Sequence, residues 1–153
     1  MELIKSFTVD HTRLHPGMYV SRTDSNNTVT YDIRTRRPNV HPVMDTGTVH
    51  TVEHIFATVI RNGPLSENII YFGPMGCRTG FYLITRGISH TEALTLTKNA
   101  FAAVAAWQDD IPGSLPEQCG NYRDQNLTGA KREALRMCGV LEEFGTDSML
   151  YPV

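Results

Sequence analysis

Asp45-Thr46-Gly47-Thr48-Val49-His50-Thr51-Val52-Glu53-His54-Ile55-Phe56-Ala57-Thr58-Val59-Ile60-Arg61-Asn62-Gly63-Pro64 is the stretch on which the reading of this chain turns. Val49, Val52, Phe56, Val59 and Ile60 recur at helical spacing and predict a buried stripe. Asp45 or Thr46 can cap the start, and Asn62-Gly63-Pro64 ends the helix. At about 100° per residue, His54 falls about 40° from His50, Glu53 about 60° to the other side, and Val52 and Val59 about 160–180° away. Two imidazoles four residues apart therefore share one face, off the centre of the apolar stripe, where they can meet one cation. Glu53 reaches the edge of that site from a different direction. The bland alternative is two solvent-facing histidines on an amphipathic helix.

Outward from this helix, Val29, Tyr31 and Ile33 alternate with Thr30, Asp32 and Arg34, the period of a half-buried strand. Ile4 to Val9 alternates more loosely and also predicts a strand. Asp24-Ser25-Asn26-Asn27 is a turn cluster, and Pro38 and Pro42 interrupt regular structure. Downstream, the apolar runs Ile69–Phe72 and Phe81–Ile84 are joined by Gly73-Pro74-Met75-Gly76-Cys77-Arg78-Thr79-Gly80, a shaped loop. Ser89-His90-Thr91-Glu92 has capping-box form and predicts a second helix to about Trp107. Asp109 to Asn126 reads as a loop. A third helix is predicted over Leu127 to Phe144, with Gly145 as its stop. The order predicts an α+β fold: a small, mainly antiparallel sheet with helices packed on one face, in one domain over residues 1–153.

The chain has 153 residues, 41% hydrophobic and 20% charged, with formal net charge −2. That balance argues against broad electrostatic binding of nucleic acid or an anionic membrane. Arg34, Arg36 and Arg37 read as solvated strand-end charge rather than a phosphate patch. The longest apolar tract, Ala100–Trp107, is too short to span a bilayer. Met1-Glu2-Leu3-Ile4-Lys5 lacks the apolar core of a secretory signal. Three cysteines, an odd number, suit a reducing cytoplasm in which thiols serve as ligands or nucleophiles.

Two imidazoles do not complete a metal site. A catalytic site usually has three protein ligands and one open position. Cys119, Cys77, another histidine or a distant carboxylate such as Glu117 are candidates for the third. Cys119, in Glu117-Gln118-Cys119-Gly120-Asn121, occupies a loop that can bend toward a helix face. Cys138 lies in line with Leu127, Ala130, Ala134 and Leu141 and reads as a small core residue. Cys77, in its stiff glycine-rich loop, reads equally as a buried cysteine at a tight turn or as a thiol activated by a nearby cation.

Three of these motifs, His50-Thr51-Val52-Glu53-His54, Gly73-Pro74-Met75-Gly76-Cys77-Arg78-Thr79-Gly80 and Glu117-Gln118-Cys119-Gly120, together resemble the S-ribosylhomocysteine lyases, the LuxS family of autoinducer-2 synthases. Ser6-Phe7 with Asp10-His11, and Tyr31-Asp32-Ile33-Arg34 with Pro38-Asn39, match in order; Leu127-Thr128-Gly129-Ala130-Lys131-Arg132 is similar more loosely. The resemblance implies His50, His54 and Cys119 as metal ligands, Cys77 as the catalytic thiol and Glu53 as a proton shuttle. It implies Ser6, His11 and Arg34 as substrate-binding residues. It further implies one divalent metal per subunit, Fe²⁺ as the physiological ion with Zn²⁺ or Co²⁺ as other ions such donors take, and a homodimer with sites at the subunit interface. The chain departs from the family pattern at Gly73, where Ser is more usual, and in the basic pair Arg36 and Arg37.

Two other functions fit parts of the pattern. His-x-x-Glu-His is also the inverted zinc-peptidase motif, whose Glu activates a water. That function takes a carboxylate third ligand and leaves Cys77 without a role. A non-catalytic, metal-stabilised binding module would take four protein ligands, with Cys77 as the fourth.

Overall fold

Helix α2 (Thr46–Arg61) forms where the apolar spacing predicts it. Asp45 caps it, its carboxylate accepting from Thr48 N–H at 2.9 Å. The buried face carries Val49, Val52, Ile55, Phe56 and Ile60, with Val59 only partly covered. Ile55 thus takes the place in the stripe that periodicity assigns to Val59. The computed structural model describes residues 1–153, with all of these elements packed around one apolar cluster.

The sheet has four antiparallel strands in the order β1-β2-β4-β3: β1 (Gly17–Asp24), β2 (Thr28–Arg34), β3 (Ile69–Pro74) and β4 (Gly80–Arg86). Val29, Tyr31 and Ile33 of β2 stand opposite Thr85, Leu83 and Phe81 of β4 and face the helices. Helix α3 (His90–Ala105) starts at the predicted capping box of Ser89 and Glu92, and α4 (Leu127–Leu141) is capped by Asn126. The three long helices cover one sheet face. Phe56 stacks on Phe72 at 3.9 Å, and Phe72 on Phe81 at 5.2 Å, welding α2 to the sheet.

Several expectations are corrected. Ile4–Val9 is not a strand; Lys5–Thr8 forms a four-residue helix, α1. The segment has no strand partner, so its polar groups pair locally, Phe7 N–H with Ile4 O and the Thr8 hydroxyl with Lys5 O. β1 has no counterpart in the sequence reading. Its apolar part is only Met18-Tyr19-Val20, and a bulge between Val20 and Arg22 breaks the alternation. The third long helix ends at Leu141 rather than Phe144. There the Lys98 ammonium donates to Phe144 O at 2.9 Å, and the Phe144 ring turns edge-on to Tyr19. The second ends at Ala105, and Trp107 belongs to the following loop, its indole donating to Asp110 O. The loop after β3 is shorter than predicted, because Gly73 and Pro74 extend β3 and Gly80 opens β4.

The arginines are not solvated strand-end charge either. Arg34 is 2% exposed and paired with Asp32. Arg36 pairs with Glu133 of α4, a carboxylate 3% exposed that also takes Arg136. β2 is therefore covered on both faces toward its end, not half-buried as its alternation suggests. Cys138 is partly covered against the core, and burial raises its thiol pKa.

The N-termini of α2 and α4 meet closely, and this contact sets the floor of the site. The Asn126 amide donates to Asp45 Oδ1 at 3.4 Å, and Gly129 has no room for a side chain. A Cβ on Gly129 would lie 2.1 Å from Thr48 Oγ1. Gly129→Ala is expected to part the two helix ends and cost about 1–3 kcal/mol, read as a lower denaturant midpoint with an unchanged slope.

Candidate metal centre

His50 and His54 project from successive turns of α2, their rings 4.3 Å apart. The loop 109–126 runs across them and brings Cys119 onto the same point. Cys119 Sγ lies 3.3 Å from His50 Nε2, and the donor atoms of His50, His54 and Cys119 all fall within 4.8 Å of one another. The third donor left open by the sequence is thus Cys119. Neither Cys77 nor Glu117 belongs to the cluster.

The loop orients the rings as well as supplying the sulfur. His54 Nδ1 meets Pro112 O at 2.7 Å, and His50 Nδ1 meets Asp124 O at 2.8 Å. A carbonyl only accepts, so each ring donates from Nδ1, which leaves Nε2 as the nitrogen turned toward the cluster. Backbone fixation of this kind is the usual outer support of a metal-bound imidazole. Asn121 N–H points at Cys119 Sγ from 3.4 Å and suits a thiolate there. Two imidazoles and one sulfur fit Zn²⁺, Co²⁺ or Fe²⁺ and do not rank them.

Thr51 locks the loop down. It is fully buried between the two histidines. Its hydroxyl donates to Gln125 Oε1 at 2.7 Å and accepts Asn126 N–H at 2.9 Å. Gly113, at φ +70°, passes His54 so closely that a Cβ would sit 3.1 Å from Nδ1. Sequence reasoning missed Thr51, Gln125, Pro112 and Asp124. Only the position of Thr51 between the histidines on an otherwise apolar flank hinted at a role.

Glu53 borders the cluster, with Oε2 3.6 Å from His54 Nε2. A cleft of about 280 Å³ beside it is lined by His50, Glu53, Pro74, Arg78, Asn121 and others. Pro74 and Arg78 flank Cys77, so the turn bearing this thiol forms one wall. Cys77 is exposed, not buried at its turn. Its sulfur lies 3.1 Å from Thr79 Oγ1 and 3.8 Å from Arg34 Nη1. Burial opposes the Arg34 charge, but the Asp32 charge and hydrogen bonds, with smaller contributions from Cys77 and Tyr151, together more than offset it and the Arg34 pKa is raised. A fixed cation therefore faces the thiol.

Ser6 and His11 are not brought to the cluster within one chain. Ser6 lines a separate cavity on the outer sheet face with Ser21, Thr30, Tyr71 and Tyr82. The His11 ring bonds to its own neighbour, Val9 O, at 2.8 Å.

The class this geometry defines is a candidate mononuclear metal site, two imidazoles and one cysteine sulfur that could hold one ion, with a cleft alongside lined by His50 and Glu53. More particularly, the chain belongs to the S-ribosylhomocysteinase (LuxS) family, whose model matches residues 4–144. Similar full-length proteins named S-ribosylhomocysteine lyase include that of Borreliella burgdorferi, strain ATCC 35210, 43% identical over 99% of this chain and 100% of its own length. Those of Clostridium acetobutylicum and Phocaeicola vulgatus are 44% and 42% identical, each over 99% of this chain and over 99% and 98% of their own lengths.

Thr51→Val keeps the shape and removes both loop bonds. It is expected to weaken Co²⁺ binding about 10- to 100-fold, measured by competition with a chromophoric chelator. Thr51→Ser should recover most of the loss.

Proposed function

We propose that the chain, as one domain over residues 1–153, is a metal-dependent lyase that cleaves S-ribosylhomocysteine to homocysteine and 4,5-dihydroxy-2,3-pentanedione. The observation that carries this reading is the convergence of His50, His54 and Cys119 beside a cleft whose walls bear Glu53 and the Cys77 turn. The substrate sulfur leaves from C5, whereas the sugar carbonyl begins at C1. The carbonyl must reach C3 before β-elimination is feasible. Each shift removes a proton beside a carbonyl and passes through an enediolate.

The metal, when bound by His50, His54 and Cys119, supplies Lewis-acid stabilisation of developing oxyanion charge. Cys77 removes and returns the carbon-bound protons, with the Arg34 guanidinium 3.8 Å from its sulfur. Glu53, at the rim of the same cleft, carries protons among the oxygens. Arg34, Ser6 and His11 orient the substrate's hydroxyls or its amino-acid end. Fe²⁺ is our choice of physiological metal on the family resemblance, the donor set itself accepting Zn²⁺ or Co²⁺ as well.

We read the protein as a homodimer with sites at the subunit interface. The support is the outer sheet side, where Leu3, Ile4 and Phe7 are 70%, 60% and 66% exposed beside Tyr71 at 46%. A second copy laid there would cover this apolar surface, and in this reading Ser6 and His11 would serve the other chain's cleft. A cytoplasmic setting suits three unpaired cysteines, and no helix is long and apolar enough to cross a membrane. A peptidase would want a carboxylate where Cys119 stands, and a closed structural site would want Cys77 as fourth ligand; neither arrangement matches the cluster.

Free-thiol release from S-ribosylhomocysteine, with added Fe²⁺ or Co²⁺ and then with chelator, tests the reading. Cys77→Ala should keep its metal and lose turnover by at least about 10²-fold. His54→Ala should lose both. Wild-type turnover in Cys77→Ala would refute the acid/base assignment.

A further inference from the structure

The carboxy-terminal tail reaches the cation that faces Cys77. Met149 is 1% exposed, and its carbonyl accepts Val20 N–H at 2.8 Å, docking the tail along β1. The Tyr151 ring then stacks on Tyr19, with centroids 5.3 Å apart and planes 19° apart. Its hydroxyl donates to Asp32 Oδ2 at 2.9 Å. Asp32 holds Arg34 by two bonds, Oδ1 accepting Nε at 3.1 Å and Oδ2 accepting Nη2 at 2.6 Å.

A guanidinium is planar, so fixing one edge fixes where the other points. The nitrogen left over, Nη1, donates to Thr79 Oγ1 at 2.8 Å and faces Cys77 Sγ at 3.8 Å. Arg78, the other cation of this turn, bonds instead to Met44 O. The direction of the Arg34 fork is therefore set by the rotation of the Asp32 carboxylate. That rotation has one hydrogen-bond donor besides Arg34, the Tyr151 hydroxyl. Tyr19 is no substitute, because its own hydroxyl donates to His15 O at 2.9 Å.

We infer that Tyr151 is a positioning residue for Cys77: by holding the Asp32 carboxylate it aims the Arg34 guanidinium at the thiol and thereby sets the reactivity of the sulfur. Burial, and then the Asp32 charge, push the Tyr151 phenol pKa up, so it stays a donor at neutral pH. Only the consequence for turnover rests on the proposed role of Cys77 as the proton-transferring group. The effect on the thiol stands apart from it.

The test uses the full-length, Co²⁺-loaded protein, in which Cys119 is engaged. Iodoacetamide alkylation at neutral pH is followed peptide by peptide. Tyr151→Phe keeps the ring and its stacking while removing the hydroxyl. It is expected to slow alkylation of Cys77 by about 3- to 10-fold, the effect of one net hydrogen bond, with Cys138 alkylation unchanged and the thermal midpoint lowered by only a few degrees, roughly what one lost bond costs. Removal of residues 151–153 should slow Cys77 at least as much, and turnover should fall by a similar factor in both. Alkylation of Cys77 at the wild-type rate in Tyr151→Phe would overturn the inference. So would parallel changes at Cys77 and Cys138, which mark general loosening. Slowed alkylation with unimpaired turnover would uphold the positioning and count instead against Cys77 as the proton-transferring group.

Discussion

Two backbone carbonyls hold the functional geometry together. Pro112 O and Asp124 O lie near the two ends of the loop 109–126, and each takes the Nδ1 proton of one α2 histidine. Helix periodicity alone places His50 and His54 on one face, but a free imidazole spins and exchanges tautomers. The carbonyls remove both freedoms. The same loop carries Cys119 between its two anchor points, so orienting the nitrogens and delivering the sulfur are one structural event. Thr51 closes the strap from below, and the Asp45–Asn126 bond joins the caps of α2 and α4 beneath it. A loop of this length ordinarily costs much conformational entropy; here its ordering is spread over several hydrogen bonds to one rigid helix and its cap.

The second half of the site has a different foundation. Cys77 sits on the β3–β4 turn, and the groups around its sulfur come from the outer sheet face. Asp32 and Arg34 are each 2% exposed, a buried pair whose desolvation is offset by bidentate geometry and by further bonds to Thr79 and Tyr151. Buried pairs are weak evidence for stability, since an apolar replacement is often no less stable. Direction is the better reason to keep one at this place, because it fixes a cation against a thiol. Sheet and strap meet at the cleft, which is lined by Pro74 at the end of β3, Arg78 of the turn, His50 and Glu53 of α2, and Asn121 and Asp124 of the loop.

The sequence was most legible where local physics acts alone. Asp45, Ser89 and Glu92 declared helix starts because caps are local hydrogen bonds. β2 showed its period of two, and β3 and β4 their short apolar runs. The His-x-x-Glu-His spacing carried its own geometry. Legibility fell where tertiary contacts decide. Ile4–Val9 alternates like a strand, yet without a neighbouring strand it folds into α1. β1 hides because its outer half is polar and bulged. Helix α4 stops at Leu141, and Phe144 beyond it contacts Lys98 and Tyr19, far off in the chain. Arg36 looked solvated because its partner, Glu133, lies 97 residues away. At the site, spacing offered several third ligands, and only the folded loop selects Cys119. Pro112 and Asp124 act through main-chain oxygens, which no side-chain pattern can disclose.

The measurement that bears most directly on this account is X-ray absorption of the Co²⁺-loaded wild-type protein, read for the identity and number of atoms around the ion. The account predicts one sulfur, two imidazole nitrogens and light-atom scattering from exchangeable solvent on the cleft side. A first shell without sulfur, or one with two sulfurs and no exchangeable position, would contradict it.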